Sequence, residues 1–159
     1  MNSKLYYQKT QCPFGTVHIY ADHQHLKAVL FSPWQKHQTN LIEETNPVIE
    51  KAQQQLAEYF AGTRKEFELP IKASGTNFQQ TVWQTLCKIP FGETWNYGQL
   101  ATAIGNKNAS RAVGAANGKN PISIIVPCHR VIGANGTLTG YAGGLTIKEW
   151  LLKHEGIIK

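Results

Sequence analysis

A chain of 159 residues has the length of about one average domain, or of two small ones. With 42% hydrophobic and 16% charged residues it is a folding sequence, not a disordered, collagen-like or disulfide-stapled one. The net charge of +6 is uneven, since residues 1–75 carry eight Lys/Arg against seven Asp/Glu and residues 76–159 carry eight against three, so the basic second half points toward a polyanion. No apolar run approaches the about 18 residues a bilayer span needs, and the opening Met1-Asn2-Ser3-Lys4-Leu5-Tyr6 lacks an apolar export segment. Cys12, Cys87 and Cys128 are an odd number with no close pair, which disfavours a disulfide framework and suits a reducing compartment. A cytoplasmic protein without membrane association is expected.

In chain order, Gly15 to Tyr20 alternates, Asp22 to His25 is a polar turn and Leu26 to Phe31 resumes, which predicts a β-hairpin. Pro47 to Phe60 places Val48, Ala52, Leu56, Tyr59 and Phe60 at helical spacing before Gly62, and an extended Phe67 to Ile71 follows. Small and polar residues at Lys72 to Thr76, where the charge balance also changes, predict a boundary between an α+β domain, 1–75, and a mainly helical one, 76–159. In the second domain Phe78, Val82, Leu86 and Ile89 predict a helix from Asn77, with Cys87 packed beside this stripe. Tyr97 to Ile104 and Ala109 to Asn117 read as two short helices joined by a Gly-containing turn, a helix-turn-helix. Ile122 to Val126 reads as a β-rich run into Pro127-Cys128-His129-Arg130, and Thr146 with Glu149 has capping-box spacing for a last helix ended by Gly156.

The helix at 109–117 is built from tiny side chains around Arg111. Its backbone can approach a partner closely, but only Arg111 and Asn117 could reach base edges, so little sequence readout is expected. Small residues would equally allow tight packing against Trp83 or Trp95. An ordinary thiol is only a few per cent ionised at neutral pH, so a nucleophilic Cys128 needs a neighbouring base, and His129 could supply it. By spacing alone a Cys-His pair is a weak signal, because neighbours on a strand face opposite ways.

Ile125-Val126-Pro127-Cys128-His129-Arg130-Val131-Ile132 resembles the active-site signature of the O6-alkylguanine-DNA alkyltransferases. In order around it stand Phe91-Gly92-Glu93, Tyr97 with Leu100-Ala101, Ser110 to Gly114, Asn120-Pro121, Tyr141 to Leu145, and Lys148 to Leu152 with His154-Glu155-Gly156. The likeness covers about residues 76–157, and the first half matches only loosely, where that family has an α+β domain of RNase-H-like topology. The resemblance implies DNA repair by single, irreversible transfer of an alkyl group from O6-alkylguanine, and also O4-alkylthymine, to Cys128. It implies His129 as a base acting through water, Glu155 orienting it, Asn120 holding the turn, and Tyr97 donating to N3 of the departing guanine.

It further implies nucleotide flipping, with Arg111 filling the vacated place and Ala112, Gly114, Ala115 and Gly118 permitting minor-groove approach. Val131, Tyr141, Ala142 and Gly143 would form the base pocket. The partner implied is duplex DNA carrying the lesion, engaged by a monomer with no cofactor and no obligate protein partner. Ala142 stands where many relatives have Ser, Asn117 replaces a larger apolar residue in the pocket wall, and Trp95-Asn96 precede Tyr97 where smaller residues are frequent. Some relatives hold structural zinc in the first domain. Here Asp22 and Lys27 fall near two of those positions, so no metal is expected, and His18, His23, His25 and His37 read as solvent-facing strand and turn residues. A non-catalytic lesion binder is a rival reading, but such relatives replace the cysteine. A thiol-sensing regulator would need a resolving cysteine and a base-reading helix.

Overall fold

The computed structural model describes residues 4–34 and 41–159, which form two compact units, Met1–Ala73 and Ser74–Lys159. Among its described residues the first is a four-stranded sheet with one helix. Strands β1 (Leu5–Cys12), β2 (Gly15–Ala21), β3 (Leu26–Leu30) and β4 (Leu41–Ile42) lie in the order β3-β2-β1-β4, with β4 parallel to β1 and the other pairs antiparallel. The hairpin expected around Asp22 is β2-β3, and the Asp22 carboxylate closes its turn by accepting the N–H groups of Gln24 and His25. Sequence reading did not assign β1, whose Leu5-Tyr-Tyr-Gln-Lys-Thr-Gln-Cys12 lacks a clean apolar alternation and becomes a strand by pairing with β2 from Tyr6↔Ala21 to Cys12↔Gly15.

Helix α1 (Pro47–Phe60) begins where Asn46 accepts the N–H of Ile49, with Pro47 in the first turn, where a missing N–H costs nothing. It covers the sheet face that carries Thr10, Val17 and Ile19, as the Gln53 to Thr10 hydrogen bond of 2.9 Å shows. The opposite face carries Tyr7, Tyr20 and Ala28, packed with Leu5, Leu30, Trp34 and Leu41. The extended segment lies along the edge of β3, through Leu26 N–H to the Pro70 carbonyl at 2.7 Å and Lys72 N–H to the Leu26 carbonyl at 3.0 Å. One expectation fails here. His18 is buried, 7% exposed, with Nδ1 at 2.6 Å from the Tyr7 hydroxyl, because β2 is an inner strand covered on both faces. His23 is exposed, His25 is half-buried, and His37 lies outside the described residues. Among the described residues no three His, Cys, Asp or Glu side chains are grouped to share a metal.

The second unit contains α2 (Asn77–Leu86), α3 (Tyr97–Ala103), α4 (Ser110–Gly118) and α5 (Leu145–His154), with a short parallel pair, β5 (Trp95–Asn96) and β6 (Val131–Ile132). Thr76 and Gln79 close a reciprocal capping box on α2, and Asn96 and Gln99 do the same on α3. Gly75 has no room for a side chain, since a Cβ there would stand 2.5 Å from the Trp83 ring. Val82, Trp83 and Leu86 are buried while Phe78 is 38% exposed, so the apolar stripe of α2 begins a turn later than its spacing implied. Cys87 is exposed at the helix end, not packed. Thr146 caps nothing, because α5 already starts at Leu145 after Gly144, whose positive φ of 94° turns the chain into the helix.

Candidate active site

The run Ile122 to Val126 is not a strand. It folds as consecutive turns, with Val126 N–H on the Ile122 carbonyl at 3.0 Å and the buried Ile124 at φ 72°, a conformation costly for a β-branched residue. Asn120 overrides the strand propensity. Its Oδ1 accepts the Ile122 N–H at 3.0 Å, while Nδ2 donates to the Val126 carbonyl at 2.9 Å and reaches Cys128 Sγ at 3.2 Å. One amide therefore organises the turn and supplies a donor to the sulfur at its end.

Cys128, His129 and Arg130 follow as one turn of 3₁₀ helix, which places successive side chains around a turn instead of on opposite faces of a strand. His129 is fully buried and its Nε2–H donates to Glu155 Oε2 at 2.7 Å, while Nδ1 has no hydrogen-bond partner among the described residues. Glu155 stands at the C-terminal end of α5 and also accepts two bonds from Arg130, at 2.8 and 3.1 Å, and one from the Gly92 N–H at 3.2 Å. Arg130 donates further to the Ile89 carbonyl at 2.7 Å.

Burial fixes the resting protonation states. Cys128 is 4% exposed, and burial pushes its thiol up, against the lowering effect of the Asn120 hydrogen bond and the Lys148 charge. Burial likewise pulls His129 down, more than Glu155 can raise it, so the imidazole is neutral at pH 7. Burial opposes ionisation of Glu155 too, but the hydrogen bonds and charge from His129 and Arg130 outweigh it and hold the carboxyl well below the usual range. A neutral imidazole that donates from Nε2 to a carboxylate keeps its Nδ1 lone pair, and that is a base.

Sequence reading passed over Lys148 and Arg130 as site residues. Lys148 is completely buried on α5, donates from Nζ to the Val131 carbonyl at 2.6 Å and the Thr139 carbonyl at 3.1 Å, and is brought down by burial to about 8. The available signal was the helical spacing of Lys148 from the apolar Leu151 and Leu152, which puts a lysine on a core-facing stripe where it survives only when partnered.

Comparison with known proteins settles the family. Residues 5–73 match the family model described as 6-O-methylguanine DNA methyltransferase, ribonuclease-like domain, and residues 77–157 match 6-O-methylguanine DNA methyltransferase, DNA binding domain. The chain belongs to the 6-O-methylguanine DNA methyltransferase family. It is 50% identical to the methylated-DNA–protein-cysteine methyltransferase of Methanosarcina acetivorans over 96% of this chain and 99% of that one, and 45% identical to the constitutive enzyme of Bacillus subtilis over 96% of each. Mycobacterium tuberculosis OGT, crystallised in complex with DNA, superposes with a TM-score of 0.88 at 43% identity, covering 94% of this chain and 92% of that one. An N-terminal ribonuclease-like domain followed by a DNA-binding domain is thus the architecture of this methyltransferase.

Within the methyltransferase's second domain, the residues expected from sequence fall into four groups. Cys128 with Asn120, and His129 with Glu155, form two hydrogen-bonded pairs held next to each other because Cys128 and His129 are chain neighbours. Tyr97, at the first position of α3, is brought toward the same turn by the pairing of β5 with β6, in which Trp95 faces Val131, and its hydroxyl lies 2.5 Å from Thr139 Oγ1. Tyr141 and Gly143 are half-buried and Ala142 exposed in the loop that the Gly144 N–H closes on the Tyr141 carbonyl. On α4, Arg111, Ala112, Ala115 and Gly118 share an exposed face, whereas Val113, Ala116 and Asn117 are buried and the Ala116 carbonyl accepts Trp83 Nε1 at 2.8 Å. Gly114 belongs with the packing instead of the open face, since a Cβ on it would point at the Tyr97 ring, 3.5 Å away. Asn117 donates to the Cys128 carbonyl at 3.4 Å and leaves its own Oδ1 buried without a partner among the described residues.

Proposed function

We propose that Cys128 accepts, once and irreversibly, the alkyl group from O6 of a guanine rotated out of duplex DNA. The observation that carries this reading is the Asn120 amide on Cys128 Sγ at 3.2 Å, in the turn that also sets the His129–Glu155 pair. The thiol is protonated at rest, so a base is needed. Through a water, Nδ1 of neutral His129 takes the proton, and Glu155 stabilises the imidazolium that forms, which is the logic of a catalytic triad with sulfur as nucleophile. Asn120 and the Lys148 charge favour the thiolate. The sulfur attacks the alkyl carbon in line, the C–O6 bond breaks, and the electron pair leaves on guanine, where Tyr97 donates to N3. A thioether does not hydrolyse, so each molecule acts once, with no cofactor. O4-alkylthymine offers the same alkyl–oxygen bond and the same leaving chemistry.

The DNA partner fits the charge of the second half and the open face of α4. Helices α3 and α4 serve as a helix-turn-helix whose second helix enters the minor groove through Ala112, Ala115 and Gly118, with Arg111 occupying the place of the extruded nucleotide. Val131, Tyr141, Ala142 and Gly143 bound the base. In the first domain the order β3-β2-β1-β4 with parallel β1 and β4 supports an RNase-H-like topology. Action in the reducing cytoplasm accords with three cysteines that are all free.

Incubation with a duplex containing O6-methylguanine tests the reaction. The expected result is one methyl mass on the Cys128 peptide at one equivalent per protein, abolished by Cys128→Ser. Transfer beyond one equivalent, or label on Cys12 or Cys87, would overturn it.

A further inference from the structure

Lys148, Thr139 and Tyr97 make a connected path along one side of the site. The buried Lys148 ammonium binds the main-chain carbonyls of Val131, on β6, and Thr139, in the segment after the Gly133–Gly136 turn. The Thr139 side chain then meets the Tyr97 phenol, oxygen to oxygen. Neither residue's main chain can drift without breaking a bond to a buried charge, so the threonine hydroxyl is held at a fixed place beside the phenol.

We infer that Thr139 is a positioning residue for alkyl transfer, its hydroxyl reversing its hydrogen bond to Tyr97 as that phenol engages the departing base, with Lys148 anchoring the Thr139 main chain. The inference rests on the reading of Tyr97 as donor to guanine. A hydroxyl carries one proton and two acceptor sites, so two facing hydroxyls can bond in either sense. The phenol is the stronger acid, so without substrate it donates to Thr139 Oγ1. When its proton turns to guanine N3, the Thr139 O–H rotates about its C–O bond and donates to the phenol oxygen, with no movement of heavy atoms. As the S–C bond forms and the C–O6 bond breaks, the Tyr97 proton is shared with, or passes to, the ring nitrogen. Thr139 then stabilises the negative charge left on the phenol oxygen, and water returns the proton afterwards. A chain of two aligned hydroxyls is a stronger donor than either alone.

The test is single-turnover transfer from an O6-methylguanine duplex, with the full chain, across DNA concentrations and with thermal melting of each variant. Thr139→Val, close in shape but without the hydroxyl, is expected to lower the limiting rate about 10- to 100-fold, the weight of one charge-assisted hydrogen bond, and to leave the half-saturating DNA concentration unchanged. Thr139→Ser is expected to restore the rate. In a Tyr97→Phe background Thr139→Val should cause no further loss, because its effect passes through the phenol. A loss of equal size in that background, a failure of serine to rescue in a folded protein, or a change confined to half-saturation would overturn the inference. If Tyr97→Phe is slow while Thr139→Val matches wild type, the inference alone falls. If Tyr97→Phe transfers at the wild-type rate, the donor reading of Tyr97 falls and takes this inference with it.

Discussion

The two units solve the problem of a small core differently. The first buries Val17, Ile19, Ala21, Leu26, Val29, Ile49, Ala52 and Leu56 between a sheet and one helix, and its buried polar side chains are His18, Asn46 and Gln55. The second buries Glu155, Arg130, Lys148 and His129, along with the Cys128 thiol. Every buried charged side chain among the described residues is therefore in the unit that carries the nucleophile. Apolar packing stabilises the first outright. In the second, removing ions from water is costly, and the compensation is local, through the bonds of Arg130 to Glu155 and of Lys148 to two carbonyls. The difference teaches that the second domain concentrates its buried charge in one place and that its stability is hostage to each partner.

The sharpest way to break this comparison is Glu155→Ala, which strands the Arg130 guanidinium and is expected to cost the second unit about 3–5 kcal/mol. Urea denaturation measures it, and a loss under about 1 kcal/mol, within the range of an exposed pair, would show that Arg130 rehydrates and that the contrast is unreal. Transfer to Cys128 should fall with it, because the imidazole loses its orienting acceptor. Ile19→Ala, in the inner strand of the first unit, should cost about 2–5 kcal/mol as a cavity, yet leave the transfer rate of folded molecules unchanged. A matching drop in rate would mean that the first unit does more than pack.

The smallest effect is the response to acid. Burial lowers both His18 and His129, so each is neutral in the fold while the unfolded chain takes up a proton near pH 6.5. The unfolded state then binds more protons, and stability falls as pH drops below that value, by at most about 1.4 kcal/mol per pH unit for each histidine. His18→Gln, able to keep a partner for the Tyr7 hydroxyl, should lose less on moving from neutral to acid. The transfer rate should hold through pH 6.5 and decline only at lower pH, where His129 protonates. A gain of stability in acid would mean that the imidazoles are charged in the fold.

Much of this was legible in the chain. The periodicity of Pro47–Phe60 marks α1 without tertiary help, and the alternation around Asp22 marks the β2-β3 hairpin. The motifs from Phe91 to Gly156 point to the family, and the family model and relatives agree. What escaped did so for physical reasons. Strand β1 carries a mixed pattern and exists because β2 offers it a ladder. Ile122 to Val126 has the composition of a strand, but Asn120 takes its backbone groups into a turn. His18 has no local mark of burial, because cover on both faces of an inner strand is supplied by other segments.

The sequence by itself determined the helices, the hairpin, the basic second half and the presence of a Cys-His pair within a recognisable signature, since all of these depend on neighbours a few residues apart. Only the tertiary structure decided that His129 donates to Glu155, 26 residues on, that Arg130 and Lys148 are buried ions, and that Thr139 meets Tyr97. Local spacing carries periodicity, but desolvation and charge pairing depend on which distant groups the fold brings within about 3 Å of one another.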